Sequence, residues 1–288
     1  MLHWMSRPTA LVLLAALAAP DSSVPVPDSA PQTPLSLRLN VPAFRLDLIE
    51  NGAVSVSYPV AVGEPRYPTP LGEFQVTHII WNPWWHPPPS EWAQRDTVHP
   101  PGSGNPMGRV KLQFGALYFL HGTPYENTIG KAASHGCLRM RDVDMRALAR
   151  TLNRVAGGGV SDATLDTLET DSSRTVTVEL LDPVTIEVAY VTVEVDAERV
   201  YLHRDIYRRD PHSERRTLGA LATAGHDTSQ VDGPLLRTLV RRARTRSTSV
   251  ALDTLLGTMP VVAQSHADAS LDTRADPVPT KWPACASR

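Results

Sequence analysis

The sequence predicts a mainly β protein with one short helix after Cys137 and a partly helical C-terminal extension. Three observations predict it. Apolar residues alternate on both sides of Asn51-Gly52, the strongest short-range hairpin signal. Eleven of the 26 prolines fall between Pro59 and Pro106, so that stretch must be turns, loops and short strands. Runs rich in β-branched residues return at 184–195 and 200–202.

The elements follow in order. Leu35, Leu37 and Leu39 alternate, then Phe44, Leu46 and Leu48, then Val54, Val56 and Tyr58, with Val60 and Val62 continuing to Gly63. Residues 67–74 carry turn chemistry and lead into a strand from Phe74 to Ile80. Residues 82–90 and 97–108, dense in proline and glycine, are loops. Val110, Leu112 and Phe114 alternate, and residues 117–120 form a short apolar strand ending at His121. Val143, Met145, Leu148 and Leu152 fall at helical spacing behind Asp142 and Asp144, which predicts a helix over 142–155 with an acidic first turn. Residues 157–173, rich in Gly, Asp and Thr, read as a loop insertion, and strand alternation resumes at Thr175. Residues 235–256 read as one or two helices whose Arg237, Arg241, Arg242, Arg244 and Arg246 form a solvated face, with a membrane or polymer contact as the second reading, and residues 266–288 read as disordered. The resulting division is a signal peptide at 1–19, a proline-rich linker at 20–34, a main domain at 35–180, a β extension packing on it at 181–210, and a C-terminal extension at 211–288.

Composition bounds the function classes. With 42% hydrophobic and 20% charged residues the chain is ordinary globular protein, and a net charge of -2 offers no electrostatic case for a nucleic-acid partner. Arg7, the apolar run at 10–19 and the small residues Ala16 and Ala18 form an export signal too short to span a bilayer. No later segment is apolar enough to cross a membrane. The expected location is therefore the periplasm or cell envelope. Two cysteines in an exported chain often pair. Here Cys285 sits in a polar tail and Cys137 in a Ser-His-Gly-Cys run, a contrast that predicts a free, reactive Cys137.

The chemistry concentrates in Ser134-His135-Gly136-Cys137-Leu138-Arg139-Met140, preceded by Tyr118-Phe119-Leu120-His121-Gly122-Thr123-Pro124. A cysteine becomes a strong nucleophile when a histidine takes its proton. Glycine before the cysteine lets a substrate approach the backbone, and the Gly136 and Cys137 N–H groups are candidate oxyanion donors. The positive end of the helix at Asp142 is a candidate thiolate stabiliser. A lone buried Cys is usually a small hydrophobe and a lone His a packing residue, but both recur here within one dense constellation. Zinc stays open at this point, since His121, His135 and Cys137 are all ligand types and His78, His86 or His99 would be a fourth.

This constellation resembles the signature of the L,D-transpeptidase catalytic-domain family. Further matches are Val62-Gly63, residues 68–74, Asn82-Pro83-Trp84-Trp85 with Pro88-Pro89-Ser90, Pro101-Gly102 with Asn105-Pro106-Met107-Gly108, and Ile129-Gly130. The resemblance covers about residues 35–180; Asp205-Ile206-Tyr207 resembles a tail segment of some members, and the far C-terminal region matches nothing. It implies a β-sandwich or barrel catalytic domain acting on peptidoglycan stem peptides, without a cofactor. Cys137 would attack a tetrapeptide stem, release terminal D-alanine, form a thioester and pass the acyl group to an amine of a stem or protein. His121 would be the proton donor and acceptor, oriented by the Gly122 carbonyl. Ser134, His135, Arg139, Tyr118 and Trp84 would bind substrate. Arg139 pairs with either a substrate carboxylate or an acidic neighbour, and Trp84, Trp85, Tyr118 and Tyr125 either line the groove or pack within the fold. The rivals are a hydrolase on the same scaffold (an L,D-carboxypeptidase), a zinc enzyme, and a non-catalytic wall-binding module.

Overall fold

A computed structural model describes residues 35–257. The expected signal peptide, linker and C-terminal tail lie outside the described residues. Strands β1 (Leu35–Asn40), β2 (Arg45–Glu50) and β3 (Ala53–Pro59) form an antiparallel meander. Asn51 at φ 51° and Gly52 at φ 80° make the left-handed turn that the Asn-Gly pair predicts. The short β4 (Val62–Gly63) follows, then the long β5 (Gly72–Trp81), β6 (Val110–Gln113) and β7 (Phe119–Thr123). Next come β8 (Ala132–Ser134), β9 (Leu138–Arg141), helix α1 (Asp142–Val155), helix α2 (Asp162–Thr170) and β10 (Val176–Ala189).

Eight strands build one sheet in the order β3-β2-β1-β10-β5-β6-β7-β9. The chain leaving β3 returns to the opposite edge, where Ala61 and Arg139 exchange backbone hydrogen bonds at 2.9 and 3.0 Å. β4 pairs β8 beside that bridge. The sheet is thus nearly closed, as expected for the barrel-like class. Closure also covers edge strands that would otherwise present unpaired N–H and C=O groups.

Alternation sends side chains to two different environments. Val110 and Leu112 of β6, Leu120 of β7, and Leu138 and Met140 of β9 join the main core, where α1 adds Met145, Leu148, Ala149 and Leu152. Burying each of the larger side chains is worth about 1.5–3 kcal/mol. The intervening residues Lys111, Phe119, His121 and Arg139 stand on the other face. That face carries the chemistry.

The structure corrects the expected layout in three places. Residues 157–173 are not simply a loop. Ser161 caps α2 by accepting from the Thr164 N–H, Leu165 and Leu168 are buried, and Arg150 on α1 binds Asp166 at 2.5 Å and Glu169 at 2.7 Å. Tertiary packing here overrides a Thr- and Asp-rich composition. The expected boundary after residue 180 falls inside β10, a central strand pairing with both β1 and β5, and a bulge between Glu179 and Val184 lets it bend without ending. The expected division at 210 also fails. β11 (Val193–Val195), β12 (Arg199–Leu202) and β13 (Thr248–Ala251) form one three-stranded sheet. α3 (Glu214–Thr223), α4 (Gly233–Ala243) and α5 (Leu252–Leu255) share its core through Leu221, Leu236, Leu239 and Leu255. Arg237, Arg241, Arg242, Arg244 and Arg246 are exposed.

This second core is tied firmly to the first. Arg45 on β2 grips both carboxylate oxygens of Glu194 at 3.0 and 2.8 Å, and Asn40 exchanges two hydrogen bonds with Val191. Farther along, Tyr190 donates to Asp205 at 2.5 Å and accepts from the Tyr207 N–H. The Tyr207 hydroxyl then donates to the Gly63 carbonyl at 2.6 Å and accepts from the Thr69 N–H at 3.1 Å. The extension thereby clamps the turn after β4.

Candidate active site

Two adjacent parallel strands bring the predicted pair together. β7 and β9 align Leu120 with Leu138 and His121 with Arg139. Cys137 immediately precedes β9, and its sulfur accepts from the Phe119 N–H at 3.3 Å. Cys137 is fully buried, packed with Trp85, Met107 and Phe119. Gly136 adopts φ 108°, a conformation that L side chains rarely take, and a Cβ there would lie 2.7 Å from the Tyr118 ring. Ser134 fixes the turn from inside. Its hydroxyl donates to the Cys137 carbonyl at 2.5 Å and accepts from the Gly136 N–H at 3.2 Å.

His121 lies mid-strand, not at the strand end expected, and is 2% exposed. Its Nδ1 lies 2.6 Å from the Gly122 carbonyl oxygen. A carbonyl only accepts, so Nδ1 carries the proton and Nε2 is the basic nitrogen of the neutral ring. Burial, with Arg139 and Lys111 nearby, drives the imidazole down to about 3 against the partial support of the Gly122 bond. The ring is therefore neutral at physiological pH, with Nε2 left as its acceptor nitrogen.

Residues 36–186, more than half of the 288-residue chain, match the L,D-transpeptidase catalytic domain family (YkuD). The chain belongs to that family. It is 33% identical over 117 residues to the "Putative L,D-transpeptidase YkuD" of Bacillus subtilis, covering 40% of this chain and 59% of that one. It is 31% identical over 140 residues to the "Probable L,D-transpeptidase YcfS" of Escherichia coli, covering 44% of each. The chain thus spans about half the length of these curated relatives. Among solved structures, the catalytic domain of the E. faecium L,D-transpeptidase aligns with a TM-score of 0.36 at 14% identity, over 56% of this chain and all of that one.

Within this L,D-transpeptidase domain the structure groups most of the expected residues. Cys137, His121, Ser134, Arg139, Tyr118 and the Gly122 carbonyl all surround the same turn. Arg139 is 3% exposed and donates to the Ala133 carbonyl at 3.0 Å. His135 is sandwiched between Tyr67 at 4.6 Å and Trp92 at 4.4 Å, and its Nδ1 is buried without a hydrogen-bond partner among the described residues. Trp84 departs from the expected group, being 48% exposed and packed on His86, while its neighbour Trp85 reaches Cys137.

Three expectations need correction. The Gly136 N–H points to Ser134 Oγ, which occupies the donor assigned to an oxyanion. Helix α1 does not reach the sulfur, because the four residues of β9 intervene and carry the chain roughly 13 Å; the dipole fades within a turn. Cys137 is disulfide-bonded in this structure, not the free thiol expected, and Cys285 lies outside the described residues. Among the described residues no three His, Cys, Asp or Glu side chains converge to hold a metal ion. No described helix is long and apolar enough to cross a membrane.

Asn82 and Asn105, named above only within the loop motifs, have a role that was missed. Asn82 donates to the Leu168, Asp171 and Arg174 carbonyls and accepts from Arg109. Asn105 donates to the Pro83, His99 and Pro100 carbonyls and accepts from the Met107 N–H. These two buried amides hold the proline-rich loops in place. The Asn-Pro pairs were the signal available, since a buried amide can satisfy several backbone groups that a loop leaves unpaired.

Acid should destabilise this site. Burial, and then Arg139, lowers His135 to about 4, as His121 is lowered to about 3. An unfolded histidine titrates near about 6.5, so below that pH the unfolded chain binds more protons. The stabilisation is complete above pH 6.5 and is lost as pH falls toward 4 and then 3, at up to about 1.4 kcal/mol per unit for each ring. Urea unfolding at pH 7 and pH 5 should show a smaller loss for His135→Gln than for the parent; equal losses would refute the contribution of His135.

Proposed function

We propose that the chain is a cysteine acyltransferase that remodels peptidoglycan stem peptides outside the cytoplasm. The observation that carries this reading is the placement of Cys137, at the entrance to β9 and bonded to the Phe119 N–H of β7, beside His121 on that same β7, with Nδ1–H fixed on the Gly122 carbonyl so that Nε2 is the base. Reduced Cys137 gives its proton to Nε2 as sulfur attacks the carbonyl before the terminal D-alanine of a tetrapeptide stem. The C–N bond breaks and His121 returns that proton to the leaving amine. D-alanine departs and a thioester remains on Cys137. An amine of a neighbouring stem or of a protein then attacks, losing a proton to His121, and the sulfur leaves to recover that proton. The catalytic-domain family and its L,D-transpeptidase relatives support the same chemistry.

The test is intact-mass spectrometry of the reduced protein with a carbapenem, an acylating β-lactam, and then with a tetrapeptide donor. One covalent adduct is expected on the parent and on Cys285→Ser, and none on Cys137→Ala. An adduct that survives Cys137→Ala would overturn the assignment of the nucleophile. With donor and acceptor stems together, free tripeptide without cross-linked dimer would replace transfer by hydrolysis.

A further inference from the structure

Three basic side chains stand in one rung across the active-site face. Lys111 on β6 is directly opposite His121 on β7, which is directly opposite Arg139 on β9. Residues in register share a face, with neighbouring strands about 4.8 Å apart. Lys111 is 4% exposed, Arg139 3%. Among the described residues the Lys111 ammonium makes no ion pair or hydrogen bond; its closest compensation is the Phe119 ring, 4.6 Å away at the centroid. Burial alone pulls it down to about 8. Lysine is almost never buried without a partner, since desolvating an ammonium is costly. A retained, uncompensated cation beside a reactive pair is a place made for an anion.

The order of the strands says which anion. Cys137 immediately precedes β9, His121 lies on β7 in the middle, and Lys111 on β6 beyond it. Resting on the acyl-transfer reading above, the scissile carbonyl sits at Cys137 and the leaving nitrogen at His121. The carboxylate carbon of a leaving D-amino acid is about 2.5 Å past that nitrogen. For a stem laid from Cys137 across His121, Lys111 is the cation next in its path, one strand farther along. We propose that Lys111 binds the terminal α-carboxylate of the leaving D-amino acid, so that the enzyme selects stems with a free carboxylate one residue past the cut. A charge-assisted contact in a dry site is strong, and a donor unable to make it leaves the ammonium buried alone.

The experiment uses the full reduced protein and two tetrapeptide donors that differ only in ending as D-alanine or D-alaninamide. The parent is expected to favour the free acid in kcat/KM by roughly 10- to 100-fold. Lys111→Met should lose that preference by slowing only the acid donor, and Lys111→Arg should recover most of it. Equal slowing on both donors, or an unchanged preference in Lys111→Met, overturns the assignment. Carbapenem labelling of Cys137 separates the two levels. An adduct on Lys111→Met with an unchanged preference would defeat only the carboxylate site, whereas no adduct on the reduced parent would defeat the acyl-transfer reading itself.

Discussion

Replacing His121 with Gln is expected to slow acylation of Cys137 by roughly 100- to 10,000-fold, the usual contribution of a positioned acid–base group. The glutamine amide can still donate to the Gly122 carbonyl, which accepts from Nδ1 at 2.6 Å in the parent, so the variant removes basicity more than it removes packing. What it cannot replace is the imidazole Nε2, the acceptor nitrogen to which the proposed mechanism passes the thiol proton. The rate of carbapenem adduct formation on reduced protein measures the loss, and a melting curve establishes that the variant is folded. His135 is the competing candidate because it lies beside the same turn. Its ring is held between Tyr67 and Trp92, so His135→Gln should change acylation far less. A large loss in His135→Gln with little in His121→Gln would exchange the two roles.

Gly63→Ala is expected to destabilise the fold by about 3 kcal/mol or more and to slow acylation as well. A Cβ on Gly63 would run into the Tyr67 carbonyl oxygen and lie 2.7 Å from the Thr69 nitrogen and 2.9 Å from Gly136 Cα. All three are backbone atoms, so no flexible side chain can swing aside. The Gly63 N–H also donates to Thr69 Oγ1 at 2.9 Å, and its carbonyl accepts from Tyr207. Any shift therefore moves the turn that carries Gly136 and Cys137. Gly104→Ala is the matched control, since a Cβ there meets nothing within 4 Å. Melting temperatures of the two variants test the contrast; equal values would show that the Gly63 turn yields at no cost.

The parts of the fold legible in the sequence are those whose signal is local. The Asn51-Gly52 turn needs left-handed backbone, and α1 needs only its own spacing of Met145, Leu148 and Leu152, so both appear where expected. Cys137 and His121 were legible as reactive residue types in a dense run. What stayed hidden depends on partners far away in sequence. α2 is held by Arg150 from another helix, and β10 reads as two elements because its bulge interrupts the alternation. Lys111 looks like an ordinary outward strand position until the sheet curls and buries it beside His121. Tyr207 gave no hint that its hydroxyl would reach a turn 144 residues earlier.

That hydroxyl has a consequence for how the molecule can be divided. The family segment ends at residue 186, three residues short of the end of β10, and well before Tyr207. A chimera joined there would cut a central strand and discard the brace on the Gly63 turn, the element that abuts Gly136. The smallest transplantable piece is therefore larger than the inherited one: it runs at least to Tyr207, and the second core rides along as the splint that holds the reactive loop true.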